Sequence, residues 1–154
     1  MPEGKRRIWI RPAVPADLPE LVRLEQACFA RPWSEASLRY DLEQHPEARY
    51  LAACDADGRV IGYAAYWITL DEAMITNIAV AVDWRRQGVG RQLLEAMIGQ
   101  AAADQLRVLT LEVRPSNEAA RSLYEAAGFR TIGLRRGYYE DNGEDAIIMQ
   151  KNIE

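Results

Sequence analysis

The 154-residue chain predicts a single α/β domain, helices and strands interleaved around one mixed sheet. Three observations predict it. The β-branched run Ile78-Ala79-Val80-Ala81-Val82 leads through Gly88 and Gly90 into apolar residues at 89, 93, 94, 97, 98 and 101, which is strand, loop and one-faced helix in succession. Residues 50–54 and 60–68 read as strands joined by the turn Asp55-Ala56-Asp57-Gly58. No repeat, low-complexity tract or Gly/Ser/Pro linker interrupts the chain, so one domain is expected over residues 8–150.

In chain order, residues 8–10 read as a first strand broken by Arg11-Pro12. Asp17 caps a helix, with Glu20 completing a capping box. The apolar stripe of that helix is Leu18, Leu21, Val22 and Cys28, and Glu25 falls inside it. Such a carboxylate reads first as an edge residue with a satisfied hydrogen bond and second as a ligand. Ser34 caps a helix running to about Gln44, and Trp33 either staples against Leu38 or meets a substrate. Residues 73–82 form a strand in which polar Asn77 marks a bulge or a backbone-bonding point.

Residues 106–113 alternate cleanly, with Leu109, Leu111 and Val113 on one face and Val108, Thr110 and Glu112 on the other. Ser116 or Asn117 starts a helix with the stripe Ala120, Leu123, Tyr124 and Ala127, ended by Gly128 at the C′ position. Two closing strands are expected over 129–136 and 145–150.

The glycine loop is suited to an anion. A helix start leaves its first N–H groups without intrahelical partners and carries partial positive charge. Gly88 and Gly90 let a phosphate approach the backbone, and Arg85, Arg86 and Arg91 surround it. The nucleotide-triphosphate pattern fails for want of Lys-Ser or Lys-Thr, and the dinucleotide pattern fails at Leu93. What remains, Arg85-x-x-Gly88-x-Gly90, resembles the acetyl-coenzyme A loop of the GNAT acetyltransferases.

Acyl transfer from a thioester to an amine requires a proton acceptor, stabilisation of the carbonyl oxygen and a proton for the leaving sulfur. Glu112, at the end of its strand, can take a proton directly or through water. Tyr124 lies two helical turns beyond Asn117 on the same side and can protonate the sulfur. Asn117 can bond an amide of a pantetheine arm, and the N–H groups of Ile78, Ala79 and Val80 can pair with that arm as with an added strand. Singly, each residue has an ordinary reading: a strand-end charge, a core aromatic, a helix cap.

Further segments sharpen the resemblance. Asn77-Ile78-Ala79-Val80, Leu111-Glu112-Val113-Arg114-Pro115-Ser116-Asn117, Leu123-Tyr124-Glu125, Arg135-Arg136-Gly137-Tyr138-Tyr139, Glu144-Asp145-Ala146 and Pro32-Trp33-Ser34 are similar to the RimI-like branch of GNAT enzymes, the ribosomal-protein-alanine N-acetyltransferases. The resemblance implies the GNAT fold, with a mostly antiparallel sheet flanked by helices. It implies Glu112 as proton acceptor and Tyr124 as proton donor. Acetyl-CoA would be contacted by Ile78, Ala79, Val80, Arg85, Arg86, Gln87, Gly88, Val89, Gly90, Arg91, Asn117 and Tyr124. Trp33, Tyr138 and Tyr139 would meet the peptide N-terminus. Gly137 departs from the pattern, where many relatives carry Asn; this bears on peptide preference and not on the chemistry.

An α-amine, with a pKa of about 7.7–8.0 against about 10.4 for lysine, suits a carboxylate base. The acidic residues Asp71, Glu72, Glu140, Asp141, Glu144 and Asp145 predict a preference for basic N-terminal peptides. The alternatives are a GNAT enzyme acting on a polyamine or aminoglycoside, and a coenzyme A-binding module without turnover.

A net charge of −4 argues against general binding to nucleic acid or acidic membranes. Residues 60–68, the longest apolar run, are too short to span a bilayer, and residues 1–7 lack a signal-peptide core. Cys28 and Cys54 read as buried free thiols in a reducing cytoplasm, and His45, the single histidine, makes a metal site unexpected. A cytoplasmic, metal-independent enzyme is the expectation.

Overall fold

In the computed structural model, which describes residues 6–153, the strands are β1 (Trp9–Pro12), β2 (Ala48–Cys54), β3 (Val60–Thr69), β4 (Glu72–Val80), β5 (Val108–Val113), β6 (Arg130–Arg135) and β7 (Ala146–Asn152). The helices are α1 (Leu18–Cys28), α2 (Glu35–Glu43), α3 (Val89–Ala103) and α4 (Glu118–Ala126). This is the element order expected from the sequence, with short 3₁₀ turns added at Pro15–Asp17 and Val82–Trp84. One seven-stranded sheet runs β1-β2-β3-β4-β5-β7-β6. β1–β2, β2–β3, β5–β7 and β6–β7 are antiparallel, and β4–β5 is parallel, pairing Glu72, Ala73 and Met74 with Val108, Leu109 and Thr110.

The domain packs as two units. The first runs to Trp67 and resumes over Thr76–Met97; the second comprises Ile68–Ile75 and the chain from Ile98 onward. In the first, Leu18, Leu21 and Leu24 of α1 and Leu38 of α2 bury against Tyr50, Val60, Tyr63 and Ala79. Close approach there depends on Gly62 in β3. A Cβ at this position would lie 2.9 Å from the Ala79 carbonyl oxygen and 3.3 Å from a Leu93 methyl of α3. In the second, Leu109, Leu111 and Val113 of β5 are buried with Met149 and Ala146 of β7. Of the β5 residues with the opposite parity, Val108 is buried and Thr110 and Glu112 are only partly buried.

Four local expectations need correction. β1 continues through Pro12, which is tolerated because β1 is an edge strand. Asp17 makes no side-chain cap to α1. Its carboxylate instead accepts from the Val14 N–H at 2.8 Å and from both terminal nitrogens of Arg11. Glu20, the expected partner of the box, accepts from the Val60 N–H at 2.8 Å. β4 ends at Val80 because Val82, Asp83 and Trp84 close a 3₁₀ turn. Ser34 does cap α2, accepting from the Ser37 N–H at 3.0 Å.

Candidate active site

The turn between β4 and α3 is shaped by two left-handed residues, Arg86 (φ 62°) and Gly88 (φ 82°). Glycine takes this conformation without a Cβ penalty. The Gly88 carbonyl accepts from the Gln92 N–H at 3.0 Å, so the helical ladder starts here. The N–H groups of Val89, Gly90 and Arg91, in the first turn, lack intrahelical acceptors.

Arg85 folds back onto the strand end. Its Nε donates to the Val80 carbonyl at 3.2 Å and its Nη2 lies 3.5 Å from Cys28 Sγ. The Cys28 thiol donates to the same carbonyl at 3.4 Å, so this cysteine is half-buried beside the loop while Cys54 is fully buried. Gln87 Nε2 donates to the Asp83 carbonyl, and Arg6 reaches the same carbonyl while its guanidinium stacks 3.6 Å over the Trp84 ring. Arg86 is exposed, and Arg91 pairs along the helix with Glu95 at 3.6 Å. Free helix-start amides, a left-handed glycine and flanking arginines form a donor set that fits a pyrophosphate.

In the second unit, Glu112 on β5 faces away from the buried Leu111 and Val113. Its side chain is 18% exposed, and Arg135 Nε lies 3.0 Å from Oε2. The contact is one of charge: Oε2 is buried and accepts no hydrogen bond among the described residues, since the Arg135 N–H does not point along the line to it.

Tyr124 is fixed by the way α4 ends. Gly128 adopts φ 95°. The Phe129 N–H bonds the Tyr124 carbonyl and the Gly128 N–H bonds the Glu125 carbonyl, both at 3.0 Å, which is a Schellman motif. The accompanying apolar contact is between the Phe129 and Tyr124 rings, 5.8 Å apart. Burial, and second the neighbouring Tyr139, push the Tyr124 hydroxyl up to about 12, so it stays protonated at neutral pH. At the other end of α4, Asn117 Oδ1 accepts from the Ala120 N–H at 3.1 Å. The cap occupies the oxygen and leaves the amide NH₂ to donate elsewhere.

Tyr138 and Tyr139 lie between β6 and β7 with rings edge to face at 5.0 Å. Burial first, then the Glu112 carboxylate, raises the pKa of both hydroxyls. The Tyr139 ring sits 3.9 Å from the Arg114 guanidinium. Arg114 also binds Asp141, Asn142 and Glu144. Asp71 pairs with Arg107 and Asp145 accepts from the Gly137 N–H. Asp71, Asp141 and Glu144, of the six carboxylates expected to make an acidic rim, are therefore ion-paired in place.

Trp33 belongs to the first unit. Its ring meets Trp67 edge to face at 5.3 Å, and its backbone N–H donates to Glu25 Oε1 at 2.7 Å. Glu25 is 0% exposed. Its other oxygen accepts from Asn77 Nδ2 at 2.7 Å and from the Tyr63 hydroxyl. Desolvation raises the Glu25 pKa, against the lowering influence of Tyr63, Trp33 and Asn77. The position of Glu25 within an apolar stripe signals this network in the sequence. Arg114 and Arg135 carry no comparable local signal.

Among the described residues no group of three or more His, Cys, Asp or Glu side chains could hold a metal, and no helix is long and apolar enough to cross a membrane.

The fold and the glycine turn are those of the GNAT class of acetyltransferases. Residues 18–129 match the Acetyltransferase (GNAT) family, and the chain belongs to that family. It is 43% identical over 136 residues to the ribosomal protein bS18-alanine N-acetyltransferase of Escherichia coli (strain K12), spanning 86% of this chain and 89% of that one. The crystal structure of the ribosomal-protein-S18-alanine N-acetyltransferase from Escherichia coli superposes with a TM-score of 0.88 at 39% identity, over 96% of this chain and 95% of that one. Arabidopsis thaliana NAA60 in complex with acetyl-CoA shares the fold alone, with a TM-score of 0.84 at 19% identity over 96% and 99% of the two chains.

Proposed function

We propose that this chain transfers the acetyl group of acetyl-CoA to the N-terminal α-amine of a protein, foremost the N-terminal alanine of the small-subunit ribosomal protein bS18, and so works in the cytoplasm as a RimI-like enzyme. The observation that carries the reading is the 43% identity to the bS18-alanine N-acetyltransferase over 86% of the chain.

Acetyl-CoA supplies an activated thioester carbonyl. The residues proposed to hold it are Ile78, Ala79 and Val80 through their N–H groups, Arg86, Gln87, Gly88, Val89, Gly90 and Arg91 at the helix start, and the Asn117 amide. Arg85 supports the loop from the strand end. Glu112 takes a proton from the α-ammonium, and the neutral nitrogen attacks the carbonyl carbon. As the new C–N bond forms and the C–S bond breaks, the Tyr124 hydroxyl gives its proton to sulfur. The phenolate is restored by the second proton lost from the nitrogen and Glu112 releases its proton to solvent, so an amine and a thioester yield an amide and a thiol. Direct transfer needs no acyl-enzyme, because holding both reactants together supplies the rate advantage. Trp33, Tyr138 and Tyr139 are the proposed contacts of the peptide end.

Intact-mass analysis tests this. A peptide beginning with Ala and carrying the bS18 N-terminal sequence gains one acetyl group at its α-amine, and Glu112→Gln slows the reaction by about 10²-fold or more. Faster turnover of spermidine or an aminoglycoside than of the peptide would move the assignment to small amines.

A further inference from the structure

Resting on that reading, we propose that Arg114 is a positioning residue for the acceptor: one guanidinium fastens the Tyr138-Tyr139 connection to the end of the strand that bears Glu112. Arg114 follows β5 directly, two residues after Glu112. Its Nη2 donates to Asp141 at 2.8 Å, and its Nη1 reaches Asn142 at 3.1 Å and Glu144 at 3.5 Å. The face of the same group lies against the Tyr139 ring.

The connection has its own closure, with Tyr139 N–H bonded to the Glu144 carbonyl at 3.0 Å and Gly143 N–H to the Tyr139 carbonyl at 2.8 Å. Left to itself, this closed loop could pivot on β6 and β7. Arg114 removes that freedom from one side and Glu144 from the other. Glu144 accepts from the Ser116 N–H at 3.1 Å and the Ser116 hydroxyl at 2.8 Å, in the turn that leads to Asn117 and α4. The Arg114 side chain is partly buried, as are Asp141 and Glu144, so water competes less for these contacts than at an open surface.

Only arginine fits the position. A planar guanidinium presents donors along its edge and a face to the ring at once; a lysine ammonium has three donors but, as a point charge, cannot lie flat on a phenol ring while its edge reaches both carboxylates. Arg114→Lys therefore keeps the charge and loses the clamp. Because the clamp acts on the acceptor side, its loss falls on the peptide and leaves the coenzyme alone.

Steady-state kinetics of wild type, Arg114→Lys and Glu144→Gln with the Ala-initiated peptide, titration calorimetry with acetyl-CoA, and amide exchange of residues 137–145 test the proposal. In Arg114→Lys, kcat/KM for the peptide falls about 10- to 100-fold, chiefly through KM, while the Kd for acetyl-CoA stays within about twofold. The Tyr139 and Gly143 amides exchange faster in both variants. Unchanged exchange, an unchanged peptide KM, or a matching loss of acetyl-CoA affinity each overturns the proposal. If the wild type acetylates no N-terminal peptide, the functional reading fails, and the exchange measurement still decides whether Arg114 holds the connection.

Discussion

Arg135 keeps its Nε 3.0 Å from Glu112 Oε2, a guanidinium standing against the carboxylate proposed to take the acceptor's proton. Arg135 is 58% exposed, and ion pairs of such side chains contribute about 0–1 kcal/mol. An arriving α-ammonium can displace it at little cost. Arg135→Ala should leave the denaturation midpoint nearly unchanged and raise kcat/KM for the peptide about two- to fivefold at low salt, with the gain shrinking as salt screens the pair. A fall in kcat/KM would instead mean that Arg135 orients Glu112 or touches the acceptor.

Tyr124 supplies a pH prediction. Its folded pKa, about 12, lies above the ordinary 10.0. Its contribution to stability is therefore complete below pH 10 and lost as pH rises from 10 to 12, where the unfolded chain ionises first. Urea titrations at pH 9 and 11 should show wild type losing stability relative to Tyr124→Phe over that interval. In kinetics, the phenylalanine variant should lose about 10²-fold in kcat, and the wild-type rate should rise through about pH 8 as the acceptor amine deprotonates. Undiminished transfer by the variant would remove Tyr124 from the proton-donor role.

Gly128 ties stability to the placement of Tyr124 through one dihedral angle. At φ 95°, an alanine is strained by about 1–2 kcal/mol, and its Cβ would meet Lys151 Nζ at 2.7 Å. The flexible lysine can move away; the backbone strain stays. Gly128→Ala should lower stability by that amount and also reduce kcat, because the Schellman closure fixes Tyr124. Gly128→Asn, which tolerates left-handed φ better, should recover part of both. Chemical denaturation and kcat measured on the same preparations would separate the two effects.

Glu25 should respond to pH in the sense opposite to an ordinary salt-bridged carboxylate. Its folded pKa is raised above 4.5, so its stabilising contribution is complete below that value and declines as pH rises through the folded pKa. The stability of wild type relative to Glu25→Gln should therefore fall on going upward from pH 4.5. Asp17 provides the internal contrast. Arg11 holds its pKa low, so its contribution is lost only as acid protonates it. A Glu25→Gln difference that is flat in pH would show that Glu25 remains charged throughout.

The parts of this structure that were legible in the sequence are those decided within a few residues. The Ser34 and Asn117 caps, the left-handed Gly128 and the alternation of β5 depend on neighbours three or four positions away. Asp17 is local too and still does not cap α1: Arg11 offers a charged, two-pronged partner that outcompetes the first N–H groups of the helix. Nothing local marks Gly62, because the need for glycine there comes from an Ala79 carbonyl and a Leu93 methyl brought close only by the fold. The pairings of Arg114 with Asp141 and Glu144 span 27 and 30 residues, and nothing local announces them. The motifs therefore offer candidate side chains without showing what holds those side chains still.

The buried Glu25 carboxylate bears on how the chain can come apart. Its donors lie 8, 38 and 52 residues away, on the Trp33 backbone, the Tyr63 hydroxyl and the Asn77 amide. An intermediate that docked α1 onto β3 without β4, or without the entry to α2, would bury this charge while part of its coordination was missing. Such half-built states are penalised by about 1–3 kcal/mol for each absent partner. Glu25 thus penalises partial structures, and the segments around it are expected to melt together in one step, with no stable remnant for a protease to trim.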